Sequence, residues 1–250
     1  MKLPMKKFFL SFVLLFTVVI GSAQEFSVGV DLFNRYIWRG VNLGGKSPSI
    51  QPWANVTFGS ETHSFTFGTW GAFSLAGTAN EEIDLYLNYC INKAVNIVVT
   101  DYFFPDLNVG VKDNYFEWGA DSTGHLLEGA VSFVGTEQIP FTALFAINFY
   151  GNDARKSNGD LLMSKYAEIG YKTNINGTDF NVFMGAALDN PDEELGEIGF
   201  YLNENAGITN LGVKLSKTLE ITDKFSVPVQ CSFVTNPELN KVFMTFGFSF

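Results

Sequence analysis

The sequence predicts an all-β protein, a transmembrane antiparallel up-and-down β-barrel of about 12 strands. Apolar residues recur at every second position in segment after segment of 24–250, and no stretch keeps the 3.6-residue period of an amphipathic helix. Most alternating segments run for about 10 to 13 residues, longer than strands of soluble sheets and suited to a tilted strand that crosses a bilayer. The links between segments alternate between short and long, as they do at the two ends of an outer-membrane barrel.

The first 23 residues predict a cleaved signal peptide. Lysines at positions 2, 6 and 7 precede an apolar run from Phe8 to Ile20, and Gly21-Ser22-Ala23 places small residues at the −3 and −1 positions of a cleavage site. The apolar run is too short for a membrane-spanning helix, which needs about 20 residues. The remaining chain, 24–250, is predicted to form the barrel domain in the outer membrane of a Gram-negative bacterium.

The alternating segments give the predicted strand boundaries. The clearest segment is the last, where Val242, Met244 and Phe246 share one face with Phe248 and Phe250. The predicted strands are 26–39, 48–59, 63–75, 82–91, 94–104, 125–134, 139–150, 164–173, 178–188, 205–217, 225–235 and 241–250.

Composition narrows the classes of partner. The chain carries a formal net charge of −10, from 16 basic and 26 acidic side chains, which repels a phosphate backbone, so nucleic acid is not an expected partner. The two cysteines and two histidines form no zinc-binding motif, and no cofactor is predicted. Most phenylalanines are expected to face lipid, and Tyr36 and Trp38 are expected at a membrane interface.

The links predict two chemically different ends of the barrel. Short turns fall at 60–62, 92–93, 135–138, 174–177 and 218–224, and longer segments at 40–47, 76–81, 105–124, 151–163, 189–204 and 235–240. With position 82 included, the longer segments hold 15 of the 26 acidic residues and four basic ones. Asp192, Glu193 and Glu194 are weak candidates for loosely held Mg²⁺ or Ca²⁺ beside lipopolysaccharide, and a solvated acidic loop without an ion is the preferred interpretation.

Charged residues with lumen-facing parity carry the functional prediction. Buried charges must be paired or hydrated, so they indicate either a water-filled path or an ion-paired plug. The narrowest part of the lumen is expected where two cations face three acids: Arg35 and Arg39, and Asp31, Asp84 and Glu128. The loop 105–124 is also long enough to fold into the barrel mouth. The predicted pore-lining residues are Asp31, Arg35, Arg39, Asp84, Glu128, Glu168, Lys172 and Lys214. The sequence therefore predicts a narrow porin-like channel for passive passage of small solutes.

Two other functions remain open from the sequence. One is a structural or adhesive barrel without a pore. The other is an outer-leaflet lipid-modifying hydrolase, for which Ser122, His125 and Glu128 are the candidate group. Strand parity places His125 on the lipid face and Glu128 in the lumen, so an enzyme is not predicted.

Two segments carry a resemblance to known barrels. Phe250, at the end of an alternating aromatic strand, resembles the assembly signature of Gram-negative outer-membrane barrels. The run Tyr36-Ile37-Trp38-Arg39-Gly40, followed by Pro48-Ser49-Ile50-Gln51-Pro52, resembles the opening hairpin of the TorF-like porin family. The resemblance implies an outer-membrane pore-like protein that is surrounded by lipid and lipopolysaccharide. It also implies that the barrel assembly machinery recognises Phe250.

Overall fold

Twelve long strands form the wall of the molecule. The computed structural model describes residues 24–76, 81–105 and 113–250, and the predicted signal peptide, 1–23, lies outside the described residues. The wall strands are β1 (Gln24–Phe33), β4 (Ser49–Gly59), β5 (His63–Ser74), β6 (Glu82–Ile91), β7 (Val95–Phe103), β8 (His125–Phe133), β9 (Phe141–Gly151), β10 (Lys165–Ile175), β11 (Thr178–Ala187), β12 (Gly207–Thr222), β13 (Phe225–Asn236) and β14 (Lys241–Ser249). Two short strands, β2 (Ile37–Trp38) and β3 (Val41–Asn42), pair only with each other, and one 3₁₀ turn, Glu193–Leu195, interrupts a loop.

Every wall strand pairs antiparallel with its neighbours along the chain, and β1 pairs with β14 to close the barrel. The closing seam is short: the paired positions run from Asp31 opposite Ser249 to Phe33 opposite Gly247. The terminal Phe250 extends it, because its backbone exchanges hydrogen bonds of 3.0 and 2.9 Å with Val30. The predicted closed antiparallel barrel of 12 strands is confirmed.

The outer face of the barrel is apolar. Phe26 is 72% exposed, Val28 66%, Ile169 58% and Met244 64%, and all lie at alternate positions of their strands. Their polar sequence neighbours therefore point into the lumen, as strand parity requires. Among the described residues, no helix is long and apolar enough to cross a membrane.

The barrel has a short-turn end and a long-loop end, as the link lengths predict. Short turns lie at 60–62, 92–94, 134–140, 176–177 and 223–224, and the four longest connections, 34–48, 104–124, 152–164 and 188–206, are all at the other end. The last short turn is tighter than predicted, because β12 continues to Thr222 and pairs with the start of β13.

The predicted first strand, 26–39, is wrong beyond Phe33. After Phe33, the side chain of Asn34 takes the place of a further β1 residue in pairing with the backbone of β14. Its Oδ1 accepts from the backbone N–H of Phe246 at 2.9 Å, and its Nδ2 donates to Met244 O at 3.3 Å. The β14 edge is thereby satisfied without another strand residue. The chain leaves the wall at this point and forms the β2–β3 hairpin.

The packed core of the molecule lies inside the barrel. Val41 of the hairpin clusters with Tyr166 and Ala187 of the wall and with Tyr201 of the loop before β12. Tyr166 and Ala187 are 0% exposed and Tyr201 is 1% exposed. All of these residues belong to the long-loop end, so that half of the lumen is filled by side chains.

Candidate functional site

A two-residue turn shapes the hairpin 37–42, which is called the lumen hairpin below. Arg39 and Gly40 have φ angles of +48° and +79°, the left-handed backbone that a tight antiparallel hairpin requires at both central positions. At Gly40 a Cβ atom would lie 1.8 Å from the carbonyl oxygen of Thr209 in β12. Only glycine fits there, because both the backbone angle and the approach of the wall exclude a side chain.

The lumen hairpin spans the barrel from one side to the other. Just before it, the Tyr36 ring lies 5.4 Å from that of Trp70 on β5, and the Trp38 ring lies 5.6 Å from that of Tyr102 on β7. On the opposite wall, Asn236 Nδ2 of β13 donates to Gly40 O at 3.1 Å. A short hairpin that touches strands all around the wall must lie inside the lumen. Its contacts fall near the long-loop ends of those strands.

Arg39 fixes the hairpin to the wall. Its Nη1 and Nη2 donate to the two carboxylate oxygens of Glu128 at 2.5 and 2.9 Å, and Nη1 also donates to Tyr201 Oη at 2.7 Å. The guanidinium carbon lies 4.5 Å from the Trp38 ring centroid and 4.7 Å from that of Tyr166. The two charged side chains are only 10% and 3% exposed, so each depends on the other for its countercharge.

A second polar cluster joins Tyr36 to two carboxyl groups of β6. Glu82 and Asp84 are 2% and 5% exposed and share the lumen face of β6 as neighbouring carboxyl groups. Burial and the carboxyl of Glu82 raise the pKa of Tyr36 well above its ordinary value, so Tyr36 remains a phenol that donates to Glu82.

The structure brings together only part of the predicted constriction. Arg39 and Glu128 form its ion pair, and Asp84 lies close enough to Glu128 to interact with its charge. Asp31 lies instead near Lys214 and opposite Gln51 of β4. Arg35 has no hydrogen-bond partner at its buried Nε among the described residues.

The remaining predicted pore-lining residues also face the lumen. Glu168 accepts from Tyr166 Oη at 2.6 Å and from Asn210 Nδ2 at 2.8 Å. Lys172 and Lys214 line a cavity of about 840 Å³ at the short-turn end, and both side chains are exposed. Lys172 Nζ donates to Val134 O at 2.9 Å. This half of the lumen has room for water around its charges.

The loop 105–124 was expected to be long enough to fold into the barrel mouth, but its described part, 113–124, packs on the outer face. Trp118 stacks on His125 with ring centroids 3.8 Å apart. His125 Nδ1 pairs with Asp101 at 2.8 Å, and its Nε2 lies 2.8 Å from Tyr115 O. His125 and Asp101 have outward parity on β8 and β7, so this loop covers the His125–Asp101 pair on the outer face of the barrel.

The candidate hydrolase group is not assembled. Ser122 Oγ donates to Glu117 Oε1 at 2.9 Å, His125 pairs with Asp101, and Glu128 holds Arg39 on the lumen side of the wall. Hydrogen bonds from the Gly119 backbone and from Ser122 lower the pKa of Glu117, which favours its carboxylate form. His125, the base of the candidate group, is therefore engaged by Asp101 and Tyr115 and not by Ser122.

The acidic loop uses its carboxylates for local structure. Asp192 Oδ1 accepts from Leu195 N at 3.3 Å and caps the 3₁₀ turn, while Glu193 and Glu194 are exposed in its first turn. Among the described residues, no group of three or more His, Cys, Asp or Glu side chains could hold a metal ion. The loop geometry therefore gives the three weak candidates no additional support.

Sequence reasoning missed the aromatic cage around Arg39. Tyr36 and Trp38 were expected at a membrane interface but lie in the lumen, because the chain leaves the wall at Asn34. Tyr201 sits in an acidic loop that showed no alternation. The Arg39-Gly40 pair was the available signal, since a glycine in a two-residue turn between Trp38 and Val41 is typical of a hairpin.

Fold and site together define a closed 12-stranded β-barrel whose lumen is blocked near one end by a hairpin of its own chain. Residues 20–172 match the model of a family described as "Bacterial protein of unknown function (Gcw_chp)". The match covers more than half of the chain, so the protein belongs to this family. It includes both Arg39 and Glu128. None of the curated proteins matches the chain.

Proposed function

We propose that the protein is an outer-membrane barrel of a Gram-negative bacterium that acts as a narrow channel for small solutes, with the lumen hairpin as its closure. One observation carries the proposal. A cavity of about 840 Å³ lined by charged side chains occupies the short-turn half of the lumen, and the way out at the long-loop end is filled by a hairpin whose charged residue, Arg39, is held by one ion pair.

The outer face supports the membrane part of the proposal. Large apolar side chains such as Phe26 and Met244 are more than half exposed, while the lumen holds the charges. Soluble proteins rarely expose a continuous apolar surface of this extent, whereas outer-membrane barrels have an apolar belt outside and polar residues inside. The place of Phe250 in the closing seam fits recognition by the barrel assembly machinery.

The lumen hairpin supports the channel part. Its segment resembles the opening hairpin of the TorF-like porin family. Polar contacts around Arg39 hold it, and no described residue between Asn34 and Pro48 belongs to a wall strand whose pairing must break if the hairpin moves. An element held by an ion pair and a few hydrogen bonds can move between two arrangements without opening the wall.

Full closure also favours a second candidate, a structural or adhesive barrel without a pore. Tyr166, Leu126 and Asn236, which surround the hairpin, are all 0% exposed. A plug packed this well can be permanent. The two candidates differ in whether removing the Arg39–Glu128 pair produces a conducting barrel.

Outer-membrane residence and conduction are tested separately. In fractionated cells the protein should sediment with the outer membrane, and unboiled samples should migrate differently from boiled ones on SDS gels. In planar bilayers, Arg39→Ala should show discrete conductance steps at least about tenfold more often than the wild type, a shift of ~1.4 kcal/mol in the closed–open equilibrium. Arg155→Ala is the matched control, because it removes an arginine from a loop at the long-loop end, outside the lumen. This variant should behave like the wild type. Silent, well-inserted Arg39→Ala barrels would establish the structural alternative.

A further inference from the structure

A small cavity under the lumen hairpin differs in chemistry from the rest of the lumen. Its volume is about 230 Å³, room for a small solute and a few waters at about 30 Å³ per water molecule. Arg35, Arg39 and Lys214 line it, and none of the described residues that line it is acidic. Three cations facing one cavity without a carboxylate are costly unless an anion or ordered water compensates them.

The three cations do not contribute equally. Arg39 is already neutralised by Glu128, and Lys214 has Asp31 nearby. Arg35 has neither an ion pair nor a hydrogen bond among the described residues, and its Nε is buried without a partner. The cavity thus contains one uncompensated guanidinium and one partly compensated ammonium group.

Neutral hydrogen-bonding groups complete the lining. Gln51 of β4, Gln230 and Ser232 of β13, and Thr245 of β14 all face the cavity. Amide and hydroxyl groups can donate to the oxygen atoms of an anion that the cations attract. A guanidinium with free donors is the side chain that best matches the paired oxygens of a carboxylate or phosphate.

We infer that this cavity is a binding site for a small free oxyanion of the phosphate or carboxylate class, held by Arg35 and Lys214. Arg35 belongs to the segment that enters the lumen hairpin, and Lys214 belongs to wall strand β12. An anion between them adds a second electrostatic link between hairpin and wall, besides the Arg39–Glu128 pair. Binding requires only the folded barrel. Its effect on conductance rests on the proposed channel function.

Titration calorimetry with inorganic phosphate on the full barrel in non-ionic detergent, at constant chloride, tests the inference. The wild type should bind phosphate saturably at one site. Arg35→Gln and Lys214→Gln should each weaken binding at least about tenfold, since each removes a charge-assisted hydrogen bond. Lys172→Gln is the matched control, because Lys172 faces the lumen but does not line this cavity. It should bind phosphate like the wild type.

Gln51→Glu keeps the shape of the side chain and places a carboxylate among the cations. It should abolish phosphate binding while the barrel keeps its heat-modifiable migration on gels, so a loss of binding is separated from a loss of fold. Dihexanoyl phosphatidic acid, which carries a lipid phosphate, should bind more weakly than phosphate because strands enclose the cavity.

The inference is overturned if the wild type shows no saturable phosphate binding, if Lys172→Gln weakens binding as much as Arg35→Gln does, or if the lipid phosphate binds more tightly. A barrel that binds phosphate as described but never conducts would refute the channel and leave the binding site intact.

Discussion

The two halves of the lumen are built from the same strands with the same inward parity, yet one is a packed core and the other is an open cavity. At the long-loop end, Leu126 and Tyr166 are 0% exposed and Glu128 is 2% exposed. At the short-turn end, Lys172 and Lys214 are exposed in a cavity of about 840 Å³. The lumen hairpin makes the difference, because it supplies the side chains that a 12-stranded wall cannot bring together by itself.

The halves also treat charge differently. Where the hairpin excludes water, Arg39 and Glu128 are paired directly and caged by aromatic rings. Where water remains, Lys172 needs only a backbone carbonyl and solvent. A buried charge requires a partner, whereas a hydrated one does not. Disturbing the hairpin should therefore convert the first environment into the second.

The largest effect is expected from Gly40→Ala. The new Cβ would lie 1.8 Å from Thr209 O at a φ of +79°, so the hairpin cannot keep its position and the sealed half should open to water. In planar bilayers the variant should show discrete conductance steps, whereas the wild type should remain mostly closed. Gly159→Ala is the matched control, because Gly159 also has a positive φ but no atom within 4 Å of its Cβ position. Equal behaviour of the two variants would show that backbone strain, and not hairpin packing, is responsible.

A smaller effect is expected on the free energy of unfolding when Arg39 and Glu128 are replaced singly and then together. Arg39→Met and Glu128→Leu should each lower the free energy of unfolding by about 3–5 kcal/mol, since each leaves a buried charge without its partner. The double variant should lose less than the sum of the two, because neither charge remains. Urea unfolding of the refolded barrels measures all three values. Strictly additive losses would mean that the two groups do not depend on each other.

The smallest effect is expected outside both halves, at Glu197. Its carboxylate accepts from the backbone N–H groups of Asp192 and Ser157, and these hydrogen bonds lower its pKa below the ordinary 4.5. A depressed pKa stabilises the link between the two loops at pH above the ordinary pKa, and this stabilisation is lost as pH falls through the folded-state value.

Hydrogen exchange at Ser157 should therefore quicken as the pH falls through the lowered pKa of Glu197, once corrected for the intrinsic pH dependence of exchange. Glu197→Gln should remove that dependence, and conductance should not change in either case. If conductance changed together with the titration of Glu197, the barrel would be closed by the loops at the long-loop end and not by the lumen hairpin.

The wall could be predicted from the sequence because period-two alternation is a local property. The strands from 48 onward, the apolar outer face and the inward parity of Glu128 and Lys172 follow from it directly. The hairpin could not, because Arg35, Ile37 and Arg39 continue the parity of β1 past Asn34, where the wall ends. Its position depends on contacts with distant strands.

The candidate site likewise contains residues that local alternation predicts and residues whose position depends on distant contacts. Lumen parity identified Glu128 as a polar group in need of a partner, and Arg39 was among the cations set against it. The cage formed by Trp38 and Tyr201 could not be predicted. Residues in an irregular loop do not alternate between two faces, so the sequence does not indicate which side chains they contact. The outward position of loop 113–124 likewise depends on the stacking of Trp118 on His125.

Site-specific thiol labelling tests the sealed and open halves most directly. In a background with Cys90→Ser and Cys231→Ser, a small water-soluble maleimide should label Lys172→Cys quickly. Thr100→Cys, whose parent residue is 9% exposed beside the Arg39–Glu128 pair, should stay unlabelled. Adding Gly40→Ala should make the cysteine at position 100 reactive as well. Rapid labelling at position 100 with the hairpin intact would contradict the account, because water would then reach the long-loop half of the lumen without any movement of the hairpin.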